Sequence, residues 1–265
     1  MKIGIIGLGA IGNANFRGLQ SVGHEVIAHD IKLGTHIKVI EETCLTFVCV
    51  PTPSLITGEC DTTIVENVLA ELSEIEYAGA VCIRSTVLPG FTAKMAQKFK
   101  NLQIAFVPEF LRERCALEDF IENHNLLAIG TLEEKVFELV RDTHAQLPKN
   151  VVKMTPTEAE LLKYYNNSFA ALRIIFANFF FELCERLEAN YPTVKNSYLL
   201  TGKAKDLYLD VNEDLRGYAG VCLPKDVKAI AMFAKEIGVD MDLMKAVDSD
   251  NQGLKHTVFE GMRHS

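Results

Sequence analysis

Short apolar runs alternate with helical patterns along the first part of the chain. Residues 2–6, KIGII, are mostly apolar residues that favour a β-strand, and a glycine-rich turn follows. From Ala10 to Val22 apolar residues recur at near-helical spacing, and Gly23 is suited to end that helix. Residues 25–30, EVIAHD, form the next segment that favours a β-strand. The pattern predicts a strand–helix–strand unit of about thirty residues.

More apolar runs continue this alternation. These predicted strands span residues 45–50, 80–84, 103–107, 126–129 and 151–154. Helical patterns lie between most of them, and apolar strands separated by helices are typical of a parallel sheet covered on both faces. We therefore predict an α/β fold over residues 1–154, with a Rossmann-type doubly wound parallel sheet.

The pattern changes in the second half of the chain. Residues 156–190 predict one long helix with apolar positions on more than one face and Pro156 in its first turn. Another helix is predicted from Pro224 to about Ile237. We therefore predict a smaller all-helical domain over residues 155–265, built on the long helix.

The long predicted helix contains a phenylalanine-rich stretch, residues 176–181. Such a stretch is too apolar to face water. It is covered either by the helical domain itself or by a second copy of the chain, and we expect a homodimer through residues 156–190. Charged residues such as Arg173 and Glu182 interrupt the helix, so no run of about 18 uncharged apolar residues exists and no membrane span is predicted.

Composition narrows the class of protein. The chain has 265 residues, a formal net charge of −8 and a pI of about 5.4, so no overall basic field favours nucleic acid. Seven cysteines, an odd count, and a chain that begins directly with MKIGIIGLG predict a cytoplasmic protein with reduced thiols. No metal site is predicted.

The glycine-rich turn, GLGAIG at residues 7–12, follows a predicted strand and opens a predicted helix. Gly7 permits the tight turn, Gly9 lets a pyrophosphate approach the backbone, and Gly12 allows close helix–strand packing. Asp30 ends the second predicted strand, where a carboxylate binds ribose hydroxyls and repels a 2′-phosphate. NAD is the expected cofactor, FAD is the weaker choice, and a glycine turn without a ligand is the alternative.

Cys222 immediately precedes a predicted helix start marked by Pro224. A helix N-terminus, with Lys225 nearby, favours the thiolate, and the flanking glycines leave room for a ligand. A nucleophilic cysteine is therefore one interpretation, and a buried small apolar residue is the other.

Four further residues are candidates for chemistry. Lys163 and Asn167 are one turn apart on the long helix and could stabilise an oxyanion, or they could form a solvated helix edge. Glu109 and Thr86 follow predicted strand ends, where ligands of such sheets bind. Glu109 could be a general base and Thr86 could orient a water molecule. The alternatives are an exposed loop carboxylate for Glu109 and a turn or helix-cap residue for Thr86.

Several of these motifs together resemble the UDP-glucose/GDP-mannose dehydrogenase family. The matching stretches are GLGAIG with Asp30, VCVPTPS (48–54), RSTVLPGFT (84–92), VPEFLRERCALEDF (107–120), EAELLKYYNNSFAALRIIFANFFFELCE (158–185) and GYAGVCLPKD (217–226). They occur in order and extend over nearly the whole chain.

The resemblance implies NAD-dependent oxidation of a nucleotide sugar, UDP-glucose above all, at C6 to the uronic acid. In this family a cysteine forms a thiohemiacetal and then a thioester, which water hydrolyses. The implied catalytic residues are Cys222, Lys163, Asn167, Asp226, Glu109 and Thr86. The implied cofactor-binding residues are Gly7, Gly9, Ala10, Ile11, Gly12, Asp30, Val50, Pro51, Thr52 and Thr86. The implied substrate-binding residues are Glu109, Phe110, Leu111, Lys163, Asn167, Tyr218 and Gly220.

The chain also departs from this family. Members normally continue into a third α/β domain that holds much of the nucleotide, and their loop before the cysteine is richer in glycine, where this chain has Ala219. Two alternatives therefore stay open. One is an NAD-dependent dehydrogenase of another alcohol or aldehyde, and the other is a non-catalytic NAD-binding protein.

Overall fold

The computed structural model describes residues 1–220 and 222–254. The chain divides into two compact units: the first comprises Met1–Pro53 and Cys60–Lys163, and the second comprises Ser54–Glu59 and the chain from Tyr164 onward. The first unit contains a seven-stranded sheet. Its strands are β1 (Lys2–Ile6), β2 (Glu25–His29), β3 (Leu45–Val48), β4 (Ala80–Ile83), β5 (Gln103–Phe106), β6 (Leu127–Gly130) and β7 (Val151–Met154).

The strand order is β2-β1-β3-β4-β5-β6-β7. The chain moves from β1 to β2 on one side and then returns to place β3 on the other side of β1. This reversal between β1 and β3 makes the sheet doubly wound, and ligands of such sheets bind beyond the carboxyl ends of the strands at that point. The predicted Rossmann-type fold is confirmed.

One part of the predicted sheet is wrong. The strands from β2 to β5 are parallel to their neighbours, but β6 pairs antiparallel with β5 through Phe106 and Gly130, and β7 runs parallel to β6. The run LAIG of β6 is buried at every position, so its apolar pattern carries no information about strand direction.

Helices cover both faces of the sheet. They are α1 (Ala10–Ser21), α2 (Thr63–Glu74), α3 (Phe91–Lys98), α4 (Ala116–Ile121) and α5 (Glu134–His144). Alternate strand residues feed two apolar cores: in β4, Val81 and Ile83 join one core, and Ala80 and Cys82 join the other. This two-sided burial explains why the strands are apolar throughout rather than alternating.

The long helix α6 (Pro156–Arg186) begins in the first unit and continues into the second. The second unit also contains α7 (Tyr191–Leu199), α8 (Leu223–Glu236) and α9 (Asp242–Gly253). The prediction that one helix reaches residue 190 is wrong. Glu188 takes a left-handed φ of 55°, and the side chain of Asn190 accepts the Thr193 N–H and so caps α7.

By length and composition, α6 is apolar enough to cross a membrane, a criterion that buried core helices also meet. Its buried side supplies Ala171 and Ile175 to a core with Val227 of α8 and Val247 of α9. Its other side carries exposed aromatic residues. The structure therefore gives α6 one face inside the second unit and one apolar face outside it.

Candidate active site

Two close approaches shape the glycine-rich turn between β1 and α1. Gly7 takes φ +90°, and a Cβ there would lie 2.7 Å from the Cys49 carbonyl oxygen. A Cβ on Gly12 would lie 1.8 Å from the Gly7 carbonyl oxygen. Among the described residues, a Cβ added to Gly9 would meet no atom within 4 Å. The turn thus needs glycine for packing at two positions and presents an open backbone at the third, as a pyrophosphate at the start of α1 requires.

Asp30 lies beside this turn, directly after β2. Its carboxylate accepts the Leu8 N–H at 2.6 Å and the Lys32 N–H at 2.8 Å. These two bonds, that from Leu8 first, hold the pKa of Asp30 below its usual range, so the group is charged at neutral pH. Each oxygen retains accepting capacity for a ribose hydroxyl, while the charge opposes a 2′-phosphate. The residues present therefore fit NAD.

The loops after β3 and β4 meet at the same edge of the sheet. Ser85 Oγ donates to the Val50 carbonyl at 2.7 Å and so joins the two loops. Thr52 is buried, Pro51 is exposed and Thr86 is half-buried. Four predicted site residues, Val50, Pro51, Thr52 and Thr86, thus lie on neighbouring loops that follow the paired strands β3 and β4.

Glu109 and Lys163 form a buried ion pair in the first unit. Lys163 Nζ donates to Glu109 Oε1 at 2.8 Å and to the Glu109 carbonyl oxygen at 2.7 Å. The other carboxylate oxygen accepts the Leu111 N–H at 2.8 Å, and Nζ lies 5.8 Å from the centre of the Phe110 ring. The sequence alternatives for these residues, a solvated helix edge and an exposed loop carboxylate, are therefore wrong.

Cys222 lies in the second unit and is the N-cap residue of α8. Cys222 is exposed, and its backbone carbonyl oxygen accepts the Asp226 N–H at 2.9 Å. Asp226 is fully buried; its carboxylate accepts the Asn167 side-chain amide at 2.6 Å and Lys225 Nζ at 2.6 Å. Cys222 is thus not a buried apolar residue, and Lys225 pairs with Asp226.

The predicted residues fall into two groups. Glu109, Phe110, Leu111 and Lys163 lie together in the first unit, and Asn167, Cys222 and Asp226 lie together in the second. Tyr218 and Gly220 precede Cys222. The Tyr218 ring is 3% exposed and belongs to the core of the second unit, whereas a Cβ on Gly220 would meet no atom within 4 Å among the described residues. A substrate contact by Tyr218 or Gly220 stays a prediction.

The sequence interpretation missed Glu160. This carboxylate on α6 is fully buried and accepts the Gly90 and Thr92 N–H groups, at 2.6 and 2.8 Å, where α3 begins. It ties the start of α6 to the loop that carries Thr86. Its one sequence signal is its position three residues before Lys163, on the same helix face.

A second missed feature is a buried cation, Arg84, directly after β4. Arg84 is 4% exposed, and its Nη2 lies 2.7 Å from Nε2 of His144. Nδ1 of His144 lies 2.8 Å from the Val140 carbonyl, so that nitrogen carries the proton and Nε2 accepts from Arg84. Burial, reinforced by Arg84, lowers the pKa of His144 and lowers that of His124 to about 4. Both imidazoles are therefore neutral.

Comparison with known proteins identifies the family. The model of the NAD binding domain of the UDP-glucose/GDP-mannose dehydrogenase family matches residues 32–148, and the model of its central domain matches residues 157–253. The chain belongs to the UDP-glucose/GDP-mannose dehydrogenase family. NAD is therefore the cofactor of this family member.

Individual relatives agree with the family models. A UDP-glucose 6-dehydrogenase of Rickettsia felis is 31% identical over 78% of this chain and 47% of the relative. AglM of Haloferax volcanii, a UDP-glucose 6-dehydrogenase, is 26% identical over 99% of this chain and 72% of the relative. A UDP-glucose dehydrogenase structure from Pyrobaculum islandicum matches with a TM-score of 0.86 and 26% identity, over 95% of this chain and 68% of that one. The chain spans about half the length of several curated relatives that it matches.

Proposed function

We propose that this family member oxidises a nucleotide sugar, with UDP-glucose as the substrate, at C6 to the uronic acid. The observation that carries the proposal is the start of α8. There an exposed Cys222 lies one helical turn before a buried carboxylate, Asp226, which is bonded to the Asn167 amide. Oxidation of an aldehyde to a carboxylate requires a thiol, a proton acceptor and a hydrogen-bond donor that stabilises the oxyanion.

The proposed reaction starts at the C6 hydroxyl. NAD, when bound, supplies the acceptor for the hydride that leaves C6 in each of two oxidations. Asp226 takes the hydroxyl proton, directly or through water, and the alcohol becomes an aldehyde. The Cys222 thiolate then adds to the aldehyde carbon, and the Lys163 ammonium and the Asn167 amide stabilise the negative oxygen that forms.

The second oxidation converts the thiohemiacetal into a thioester. Water oriented by Thr86 attacks the thioester carbon, Glu109 takes a proton from that water, and the carbon–sulfur bond breaks to release the thiolate. One alcohol, two NAD and one water give one carboxylate, two NADH and three protons. The Lys163–Glu109 pair supports this assignment because it fixes the Glu109 carboxylate beside the ammonium that stabilises the oxyanion.

The proposal includes a homodimer formed through α6. Exposed side chains recur along one side of this helix at spacings of three, four and seven residues: Tyr165, Phe169, Phe176, Phe180 and Leu183. The Phe176 and Phe180 rings lie 4.7 Å apart. An apolar stripe of this kind is typical of a face that another helix covers. The proposal also places the enzyme in the cytoplasm, where the Cys222 thiol stays reduced.

A substrate panel tests this proposal. The full chain is mixed with NAD and, in separate reactions, UDP-glucose, GDP-mannose, UDP-N-acetylmannosamine and simple alcohols, and NADH absorbance is followed. Turnover of UDP-glucose well above the rest supports the substrate. Turnover only of a simple alcohol or aldehyde favours a different dehydrogenase. NAD binding without any turnover favours the non-catalytic alternative.

A further inference from the structure

Asn251 of α9 binds the backbone that leads into Cys222. The side chain is 3% exposed. Its Oδ1 accepts the Tyr218 N–H at 2.7 Å, and its Nδ2 donates to the Tyr218 carbonyl oxygen at 2.8 Å. Both polar atoms of the amide are therefore used on one backbone residue, four positions before the cysteine. Such a pair of bonds sets both the distance and the direction of the chain at Tyr218.

A second buried amide holds the same segment one residue earlier. Asn178 of α6 is fully buried, and its Oδ1 accepts Arg216 Nε at 2.6 Å and the Gly217 N–H at 3.4 Å. Arg216 also pairs with Glu182 and lies over the Phe181 ring, 5.1 Å from its centre. Residues 216–218 are thus fixed to two different helices.

The segment needs such anchors because of its backbone. Gly217 and Gly220 take φ of 59° and 89°, and glycine restricts the backbone less than any other residue. Buried amides without partners are costly. Asn251 uses both polar atoms on the loop, whereas Asn178 uses its oxygen on the loop and donates its Nδ2 to the Ile174 carbonyl of α6 at 2.9 Å. These side chains therefore limit where the loop can place the start of α8.

We propose that Asn251 and Asn178 are positioning residues that set the place of the Cys222 thiol, an inference that rests on the proposed function for the use of that thiol. The contacts predict different responses to an aspartate. At position 178 the loop is held through the oxygen, which aspartate keeps, and the bond that aspartate loses there is the one from Nδ2 to the Ile174 carbonyl within α6. At position 251 the loop is held through the oxygen and the nitrogen, and aspartate would turn an oxygen toward the Tyr218 carbonyl oxygen.

The experiment measures thiol reactivity and catalysis in the full chain. The variants are Asn251→Asp, Asn178→Asp and Asn178→Leu. Asn196→Asp is the matched control, since it makes the same chemical change on an exposed residue of α7. Alkylation of the Cys222 peptide by iodoacetamide is followed against pH by mass spectrometry. Then kcat, KM and NAD affinity are determined, and thermal unfolding reports whether each variant is folded.

Asn251→Asp and Asn178→Leu are expected to slow Cys222 alkylation at pH 7 and to lower kcat by roughly 10–100-fold, a common cost of slight misplacement. NAD affinity and the Asn196→Asp profile should not change, and Asn178→Asp should recover most of the loss seen in Asn178→Leu. If Asn251→Asp fails to fold, the two variants at position 178 decide the question.

Unchanged alkylation profiles in the folded variants would overturn the inference, as would equal losses in Asn178→Asp and Asn178→Leu. Altered alkylation in a chain that turns over no nucleotide sugar would leave the positioning role standing and remove the proposed function. The thiol measurement thus separates the two failures.

Discussion

Lys163 Nζ lies 2.8 Å from Glu109 Oε1, and both side chains are less than one-tenth exposed. Removal of one partner leaves the other charge buried without its counter-ion, which usually costs roughly 3–5 kcal/mol. We expect Lys163→Met to lower the free energy of unfolding by about that amount. Urea denaturation followed by circular dichroism measures it.

The double variant Lys163→Met with Glu109→Gln provides the control for this prediction. It removes both charges, so much of the stability lost in Lys163→Met should return, with a coupling free energy well above about 0.5 kcal/mol. Equal destabilisation in the single and the double variant would show that lost packing, rather than the stranded carboxylate, explains the effect.

Much of the fold follows from local patterns. The predicted strand at 2–6, the glycine turn and the helix from Ala10 are confirmed because each depends on residues close in sequence. The direction of β6 could not be predicted, since a strand buried on both faces is apolar whichever way it runs. The end of α6 was missed because Glu188 adopts a left-handed backbone that no local preference of glutamate indicates.

The candidate site, like the fold, could be predicted from the sequence only where the residues involved are close together in the chain. Cys222, Asp226 and Lys225 are local to one helix start, and their sequence order indicates their proximity. The pairings Lys163–Glu109 and Asn167–Asp226 join residues 54 and 59 positions apart, so the residues alone could nominate these groups but not pair them. Asn178 and Asn251 carry no signal in the sequence, and Glu160 carries only its spacing from Lys163, so the buried contacts of these residues are what reveal their roles.

We expect the Asp30 carboxylate to determine the preference for NAD over NADP. Its charged carboxylate is available to ribose hydroxyls, and a hydrogen bond to a charged group contributes about 1.5–3 kcal/mol. Asp30→Ala should therefore weaken NAD binding by roughly 10–100-fold while NADP binding weakens less or improves. Fluorescence titration with both dinucleotides measures this change. An equal effect on the two would contradict ribose recognition by Asp30.

His124 predicts how stability depends on pH. Burial first, and then the charge of Arg84, lower its pKa from 6.5 to about 4. Between these values the unfolded chain binds more protons than the folded chain, so stability should fall as pH drops from about 6.5 toward 4. The contribution of His124 is about 1.4 kcal/mol per pH unit within that window.

Chemical unfolding at pH 7, 6, 5 and 4.5 tests the pH prediction. His124→Asn should flatten the decline, and the exposed His36→Asn should leave it unchanged. Parallel declines in wild type and His124→Asn would show that other groups, rather than His124, cause the acid sensitivity.

The exposed stripe on α6 predicts the oligomeric state. Phe176 and Phe180 are 55% and 41% exposed in the single chain, so two glutamates there should prevent a second copy from packing. Sedimentation velocity should find a dimer for the wild type and a monomer for Phe176→Glu with Phe180→Glu. Leu200→Glu, an exposed change outside α6, should remain dimeric. A monomeric wild type would contradict the proposed homodimer.

The stoichiometry of NADH formed per UDP-glucose consumed, measured with the full chain and with Cys222→Ala, tests the central claim most directly. We expect two NADH per sugar, with UDP-glucuronate as the product, and loss of carboxylate formation in the variant because no thioester can form. One NADH per sugar with an aldehyde product, or two NADH in Cys222→Ala, would contradict it.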